Sequence, residues 1–137
     1  MTEIPPHLHA LRVYYEDTDL AGIVYYANYL KFIERGRSEW VRDLGIDQAA
    51  LKAEKGLVFA VRRVEADYLR PARFGEDLTV VTRPQQVSGA RIVLEQEVRR
   101  GAERLFQALV VLVCLTEDGH AARLPPELRA RLAPALH

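Results

Sequence analysis

The amino-acid sequence predicts an α+β fold in which a five-stranded antiparallel sheet wraps around one long central helix. Three observations lead to this prediction: one long helical period, five β-rich segments, and a length of 137 residues, which suits a single core. We therefore expect residues 1–137 to form one domain.

The first elements are a β-rich segment, Leu11–Tyr15, an acidic stretch, Glu16–Asp19, and a loop, Leu20–Gly22. A helix is predicted over Val24–Leu44, where the apolar residues recur with helical period. Gly45 is a typical helix stop. The stripe of this helix comprises Tyr26, Tyr29, Leu30, Ile33, Trp40 and Leu44.

Four strands are predicted after the helix, and two Gly-containing turns divide the later ones into hairpins. The strands are expected at Val58–Leu69, Asp77–Arg83, Arg91–Arg99 and Leu105–Leu115, with turns at Ser88–Gly89 and Arg100–Ala102. Leu105–Leu115 is apolar on both faces, which is typical of a central strand. Because one helix covers only one sheet face, we expect another subunit on the outer face. The tail, Pro125–Leu132, is predicted to form a short helix.

Composition excludes several classes of function. With 19 basic and 19 acidic residues the chain has no net charge to attract nucleic acid or anionic lipid. One Cys forms neither an internal disulfide nor a Cys-based zinc site. The sequence contains no Gly-rich nucleotide loop and no nucleophile elbow, and its two serines are Ser38 and Ser88. We find no secretory signal and no apolar run long enough for a membrane span, so a cytoplasmic location is expected.

The most specific motif begins at Tyr14 and reads YYEDTDLAGIVYYANY, with FIERGRSE following from Phe32. Together with Val61-Arg62, Tyr68 and the segment Pro71–Asp77, it resembles the hotdog-fold acyl-CoA thioesterases of the 4-hydroxybenzoyl-CoA thioesterase family. The match is closer to the YbgC-type branch, which is associated with the Tol–Pal system. The resemblance extends over nearly the whole chain to about Thr116.

The resemblance implies a hotdog fold, hydrolysis of acyl-CoA without metal or other cofactor, and homodimers joined edge to edge, often paired into homotetramers, with sites at the subunit interface. The catalytic carboxylate of the family motif corresponds to Asp19. The backbone amide that polarises the thioester carbonyl lies near Tyr26. Many YbgC-type members carry His at the Tyr26 position, whereas the hydroxybenzoyl-CoA branch carries Tyr.

Asp19 also suits the chemistry on its own terms, because thioester hydrolysis needs an oxygen nucleophile and a donor for the oxyanion. A carboxylate supplies the first, directly or through water, and the unpaired amides of a helix start supply the second. The alternative for Asp19 is a helix cap. The other expected substrate contacts are Tyr15, Gly22, Val24, Tyr25, Tyr29, Arg62 and Arg91. Plain core packing is the alternative for the tyrosines. The arginines that could hold the phosphates of coenzyme A are Arg62, Arg63, Arg70, Arg73 and Arg91, of which Arg62 and Arg91 are favoured; a solvated strand face is the alternative for them.

The remaining candidates are assigned structural roles. Glu34 and Arg37 are expected to form an ion pair at the subunit interface, with Glu34 as a minor catalytic candidate. Cys114 is expected in the core. His7 and His9 are expected in a frayed start, His120 in a turn and His137 at the terminus, and none is assigned a chemical role. Two other functions stay open: an enoyl-thioester hydratase of the same fold, and a non-catalytic subunit that binds acyl thioesters or an envelope complex.

Overall fold

The computed structural model describes residues 5–132. The strands are β1 (His7–Arg12), β2 (Leu57–Tyr68), β3 (Asp77–Ser88), β4 (Arg91–Arg100) and β5 (Glu103–Thr116). The helices are α1 (Asn28–Asp43), α2 (Gln48–Lys55) and α3 (Pro126–Leu132), and a 3-10 turn covers Tyr15–Asp17. The strands form one antiparallel sheet in the order β1-β3-β4-β5-β2, which confirms the predicted five-stranded sheet.

The core lies between α1 and the face of the sheet that packs against it. The buried residues of α1 include Phe32, Ile33, Gly36, Trp40 and Val41. At Gly36 the helix backbone lies directly on β3, because a Cβ built there would be 2.4 Å from Cγ1 of Val80. The predicted apolar stripe of this helix is partly wrong, because Tyr26, which precedes α1, and Leu30 are both exposed.

Two predicted boundaries at the N-terminal side are also wrong. The first strand is β1, which starts at His7 and ends at Arg12, so that His7 and His9 are paired with β3 rather than frayed. The helix begins at Asn28 and not at Val24, because Ile23 and Val24 are held in β-bridges to Arg73 and Thr18. Tyr26 fits the helical period of the stripe but lies in the turn before α1, which produced this second error.

Two features of the later chain were missed. The third strand passes through Pro84, where a shift of register between Pro84 and Gln86 marks a bulge, the setting in which a strand tolerates proline. Helix α2 was not predicted, although Asp47 caps its start by accepting a hydrogen bond from the Ala50 amide at 3.0 Å. Gly56, with φ of 64°, ends this helix in the left-handed conformation.

The sheet order brings distant segments to one end of the molecule. The ends of β1, β2 and β4 and the starts of β3 and β5 all lie there, together with the start of α1. We call this the helix-start end of the sheet. As predicted, β5 is an interior strand, between β4 and β2. No helix within residues 5–132 is long and apolar enough to cross a bilayer.

Candidate active site

Asp19 lies at the turn of a short hairpin that precedes α1. The Asp19 amide donates to the Ile23 carbonyl and the Tyr25 amide donates to the Asp17 carbonyl, each at 2.9 Å. The turn is closed by a 3.0 Å hydrogen bond from the Gly22 amide to the Asp19 carbonyl. Gly22 has φ of 78°, a conformation that favours glycine, so its backbone form is required at this position.

The Asp19 side chain is exposed, and only one of its two carboxylate oxygens accepts a hydrogen bond from the described residues. Its Oδ1 accepts a hydrogen bond from the Ala21 amide at 2.9 Å, whereas its Oδ2 accepts none from residues 5–132. The helix-cap alternative for Asp19 is wrong, because the residue in the cap position of α1 is Ala27. One carboxylate oxygen is thus oriented by the turn and the other faces no protein donor.

The start of α1 presents free backbone donors. Within the described residues, the amides of Tyr26 and Ala27 donate no hydrogen bond, whereas the Asn28 amide donates to the Tyr25 carbonyl at 2.8 Å. The buried Asn28 side chain ties the helix to the hairpin through a 2.9 Å hydrogen bond from Nδ2 to the Asp17 carbonyl. Free amides at the positive end of a helix dipole stabilise negative charge.

An aromatic cavity of about 310 Å³ opens beside these amides. It is lined by Ile23, Val24, Tyr26, Tyr29, Tyr68, Leu69, Arg70 and Pro71. Tyr68, the last residue of β2, packs edge-on against Tyr26 with ring centroids 6.1 Å apart, and against Tyr29 at 5.5 Å. The walls are therefore supplied by α1 and its preceding segment on one side and by the end of β2 on the other.

The hydroxyls of two tyrosines brace this cavity. Tyr68 donates to the Tyr26 carbonyl at 3.0 Å, and the Tyr29 hydroxyl accepts from the Ala72 amide at 2.9 Å. Burial raises the pKa of both tyrosines above its ordinary value. Both side chains therefore stay neutral at physiological pH, which keeps the Tyr68 hydroxyl a donor.

The predicted site residues divide into two groups. Those near the helix-start end of the sheet are Asp19, Gly22, Val24, Tyr25, Tyr26, Tyr29 and, on the neighbouring loop, Tyr15. Arg91 is not among them, since it opens β4 at the opposite end of the sheet. Arg62 is exposed in the middle of the edge strand β2, beside a bulge between Val61 and Arg63. The structure brings neither arginine to the cavity.

Glu34 and Arg37 do not pair with each other in the chain. Arg37 donates from Nη1 to Oε1 of the buried Gln96 at 3.0 Å, and Glu34 accepts from the Ser38 hydroxyl at 3.1 Å. Burial lowers the pKa of Arg37, with Glu34 as a weaker opposing influence. An ion pair between these residues across a subunit interface stays a prediction.

The cysteine and the histidines lie away from the site. Cys114 is buried on β5 and burial raises the pKa of its thiol, so it is a core residue as predicted. His7 bonds through Nε2 to Asp43 at 2.7 Å, near the C-terminal end of α1. His120 is in a turn as predicted, and His137 lies outside the described residues.

Sequence reasoning missed much of the cavity wall. Ile23, Leu69 and Pro71 were not named as site residues, and Tyr68 entered only as part of the resemblance. A signal for Tyr68 exists: an aromatic residue three positions before Pro71 marks the end of a strand. That signal does not reveal which helix the strand end faces.

Comparison with known proteins agrees with this architecture. The family model described as the thioesterase superfamily matches residues 21–107. The chain is 42% identical over 105 residues to the acyl-CoA thioesterase YbgC of Haemophilus influenzae, covering 77% of each chain. It is 39% identical over 106 residues to the acyl-CoA thioester hydrolase YbgC of Escherichia coli O157:H7, covering 77% of this chain and 78% of that one.

A solved structure shows the same fold. The probable thioesterase from Bartonella henselae superposes with a TM-score of 0.83 at 41% identity, covering 88% of this chain and 99% of that one. The fold and the named relatives define a hotdog-fold thioester hydrolase. The chain belongs to the thioesterase superfamily, as the resemblance predicted.

Proposed function

We propose that this protein hydrolyses acyl-CoA to the free acid and CoA, with Asp19 as nucleophile or general base and the Tyr26 amide as oxyanion donor. The observation that carries the proposal is the hairpin at residues 18–24, which joins a carboxylate with one uncommitted oxygen to the free amides before α1. The YbgC relatives named above, which are called acyl-CoA thioesterases, support CoA as the carrier.

The reaction needs no other nucleophile. In the direct route, an Asp19 oxygen attacks the thioester carbonyl carbon, the C–S bond breaks and CoA leaves as its thiolate; water then cleaves the mixed anhydride and restores the carboxylate. In the water route, Asp19 takes a proton from a water that attacks the same carbon. Both routes place negative charge on the carbonyl oxygen, where amides at a helix start stabilise it.

We also propose that two copies of the chain pair through the edges of β2, and that the homodimers assemble further into homotetramers. Every residue from 61 to 70 is exposed in the single chain, including the apolar side chains of Val61, Val64 and Leu69. An open edge of this length is a template for strand pairing. Tyr68 ends the same strand, so pairing there would place a partner beside the cavity. The lone reduced cysteine, Cys114, suits the cytoplasm, which is the location we propose.

The proposal is tested by thiol release from a panel of short, long and aromatic acyl-CoAs. Asp19→Asn keeps the size of the side chain and is expected to lower kcat at least 100-fold, the order of loss seen when a catalytic acid or base is removed. Asp118→Asn, an exposed acid in the turn after β5, is the matched control and should retain wild-type activity.

Two results would overturn the proposal. Absence of thiol release from every acyl-CoA would remove the activity and favour a binding subunit. Full activity in Asp19→Asn would keep the thioesterase but remove Asp19 from its mechanism. Sedimentation of the wild-type chain tests the assembly, for which a monomer at micromolar concentration is the contrary result.

A further inference from the structure

Two aromatic rings stack on each other in solvent beside the hairpin. Tyr15 is 80% exposed and Phe74 is 50% exposed, and their ring centroids are 4.4 Å apart with 28° between the planes. We call this pair the aromatic platform. Aromatic side chains usually bury their faces, so a stacked pair left this open is typical of a surface that receives a ligand or partner.

The platform is held by backbone hydrogen bonds between two loops. Val13 donates to the Glu76 carbonyl and the Gly75 amide donates to the Val13 carbonyl, each at 2.9 Å. A third bond of 2.9 Å joins the Val24 amide to the Ala72 carbonyl. The two loops that hold the platform are therefore the ones that lead into the Asp19 hairpin and support it.

A cation without a carboxylate partner lies next to the platform. Arg73 precedes Phe74 and is exposed, and its guanidinium has no Asp or Glu oxygen within 4.0 Å among residues 5–132. The backbone amide of Arg73 donates to Oε1 of Glu76 at 2.6 Å. Its neighbours differ: Arg70 pairs with Glu103 at 3.2 Å and Arg100 pairs with Glu76 at 2.8 Å. Glu16, which follows Tyr15, is an exposed acid on the other loop.

We propose that the aromatic platform and Arg73 bind the nucleotide end of coenzyme A, with the adenine stacked on the platform and a phosphate held by Arg73. Bases stack on aromatic rings whatever their sequence, and the guanidinium fork suits phosphate oxygens. This inference rests on the proposed acyl-CoA thioesterase activity. It assigns the nucleotide to a different place from the arginines Arg62 and Arg91, which lie away from the hairpin.

The location fits the shape of the substrate. Phe74 lies just before β3, and Tyr68, on the far wall of the cavity, ends β2, three strand spacings away in the sheet order, or roughly 14 Å. Coenzyme A separates its adenine from its thioester by the pantetheine arm, so its two ends need separate sites at one end of the molecule.

The test compares each acyl-CoA with the matching acyl-pantetheine, which lacks the nucleotide. For Tyr15→Ala, Phe74→Ala and Arg73→Ala, KM for acyl-CoA is expected to rise about 5- to 100-fold with kcat nearly unchanged. Neither constant should change for acyl-pantetheine. Tyr14→Ala, which removes an adjacent exposed tyrosine outside the platform, is the control and should behave as wild type. With acyl-dephospho-CoA, which lacks the 3′-phosphate, Arg73→Ala should raise KM less than it does with acyl-CoA, whereas the effects of Tyr15→Ala and Phe74→Ala on KM should stay the same.

Other results would overturn the inference. Wild-type enzyme that uses acyl-CoA and acyl-pantetheine with the same KM has no nucleotide site. Equal loss on both substrates, accompanied by a change in oligomeric mass, would make the platform a subunit contact. Titration with adenosine 3′,5′-bisphosphate supplies a readout independent of hydrolysis: wild type should bind it, and binding unaffected by all three variants would refute the assignment even if the thioesterase proposal failed.

Discussion

Gly36 provides a direct test of how closely α1 lies on the sheet. A Cβ at this position would meet Val80 Cγ1 at 2.4 Å and Val80 Cβ at 3.0 Å, both far inside an ordinary carbon contact. Val80 is fully buried and belongs to a strand paired on both sides, so neither element can move freely. Gly36→Ala must therefore displace α1 or strain Val80.

The magnitude follows from two opposing effects. Alanine in place of glycine within a helix stabilises it by about 1 kcal/mol. Overpacking a close-packed core costs about 1–3 kcal/mol, and a contact 1 Å too short belongs at the upper end of that range. We expect Gly36→Ala to lower the free energy of unfolding by about 1–2 kcal/mol, although helix propensity alone predicts the opposite sign.

Urea unfolding followed by Trp40 fluorescence measures this change, because the single tryptophan is buried on the same helix. The matched test is the double-mutant cycle with Val80→Ala, which removes the atom in contact at 2.4 Å. Gly36→Ala should cost less in the Val80→Ala background than in wild type. A Gly36→Ala protein as stable as wild type, or a cycle with no coupling, would refute the close approach.

Three further predictions concern single groups. Tyr68→Phe removes the donor to the Tyr26 carbonyl, so it should lower the free energy of unfolding by about 0.5–1.5 kcal/mol. It should also lower kcat more than it raises KM. Unchanged kinetics would contradict the bracing role. Cys114 should resist a thiol reagent at pH 8 until urea unfolds the chain, because burial both shields its thiol and raises its pKa; fast labelling of native protein would be the contrary result. The hydrogen bond from Arg100 lowers the pKa of Glu103 below its ordinary value of 4.5. The stability that this carboxylate contributes is therefore present above pH 4.5 and is lost as the pH falls through the lowered pKa. Glu103→Gln should flatten that part of the acid unfolding curve, measured by circular dichroism.

The sheet was predictable because its strands carry local signals. Alternation in β4 and the glycines at the hairpin turns, Gly89 and Gly101, are properties of neighbouring residues and need no tertiary information. The start of α1 was not predictable in the same way. Val24 and Tyr25 have residue types that suit either state, and it is the pairing of Val24 with Thr18 that keeps them out of the helix.

The candidate site also combines residues that local sequence indicates with residues that only the tertiary structure brings together. Asp19 and the helix start are close in sequence, so a motif could indicate them. The opposite wall of the cavity comes from Tyr68 and Leu69, more than forty positions later, and their proximity to Tyr26 depends on β2 joining the sheet beside β5. No local pattern carries that information, so the favoured arginines, Arg62 and Arg91, were chosen by residue type and both lie elsewhere.

The hydrogen bond from Tyr68 to the Tyr26 carbonyl has a consequence for the timing of catalysis. That carbonyl shares one rigid peptide plane with the amide of Ala27, so Tyr68 on the sheet edge sets the direction of the free amide that follows the proposed Tyr26 donor. The plane acquires its orientation when β2 docks during folding. The free energy of aligning this second free amide is then part of folding, and its peptide needs no reorientation in each turnover.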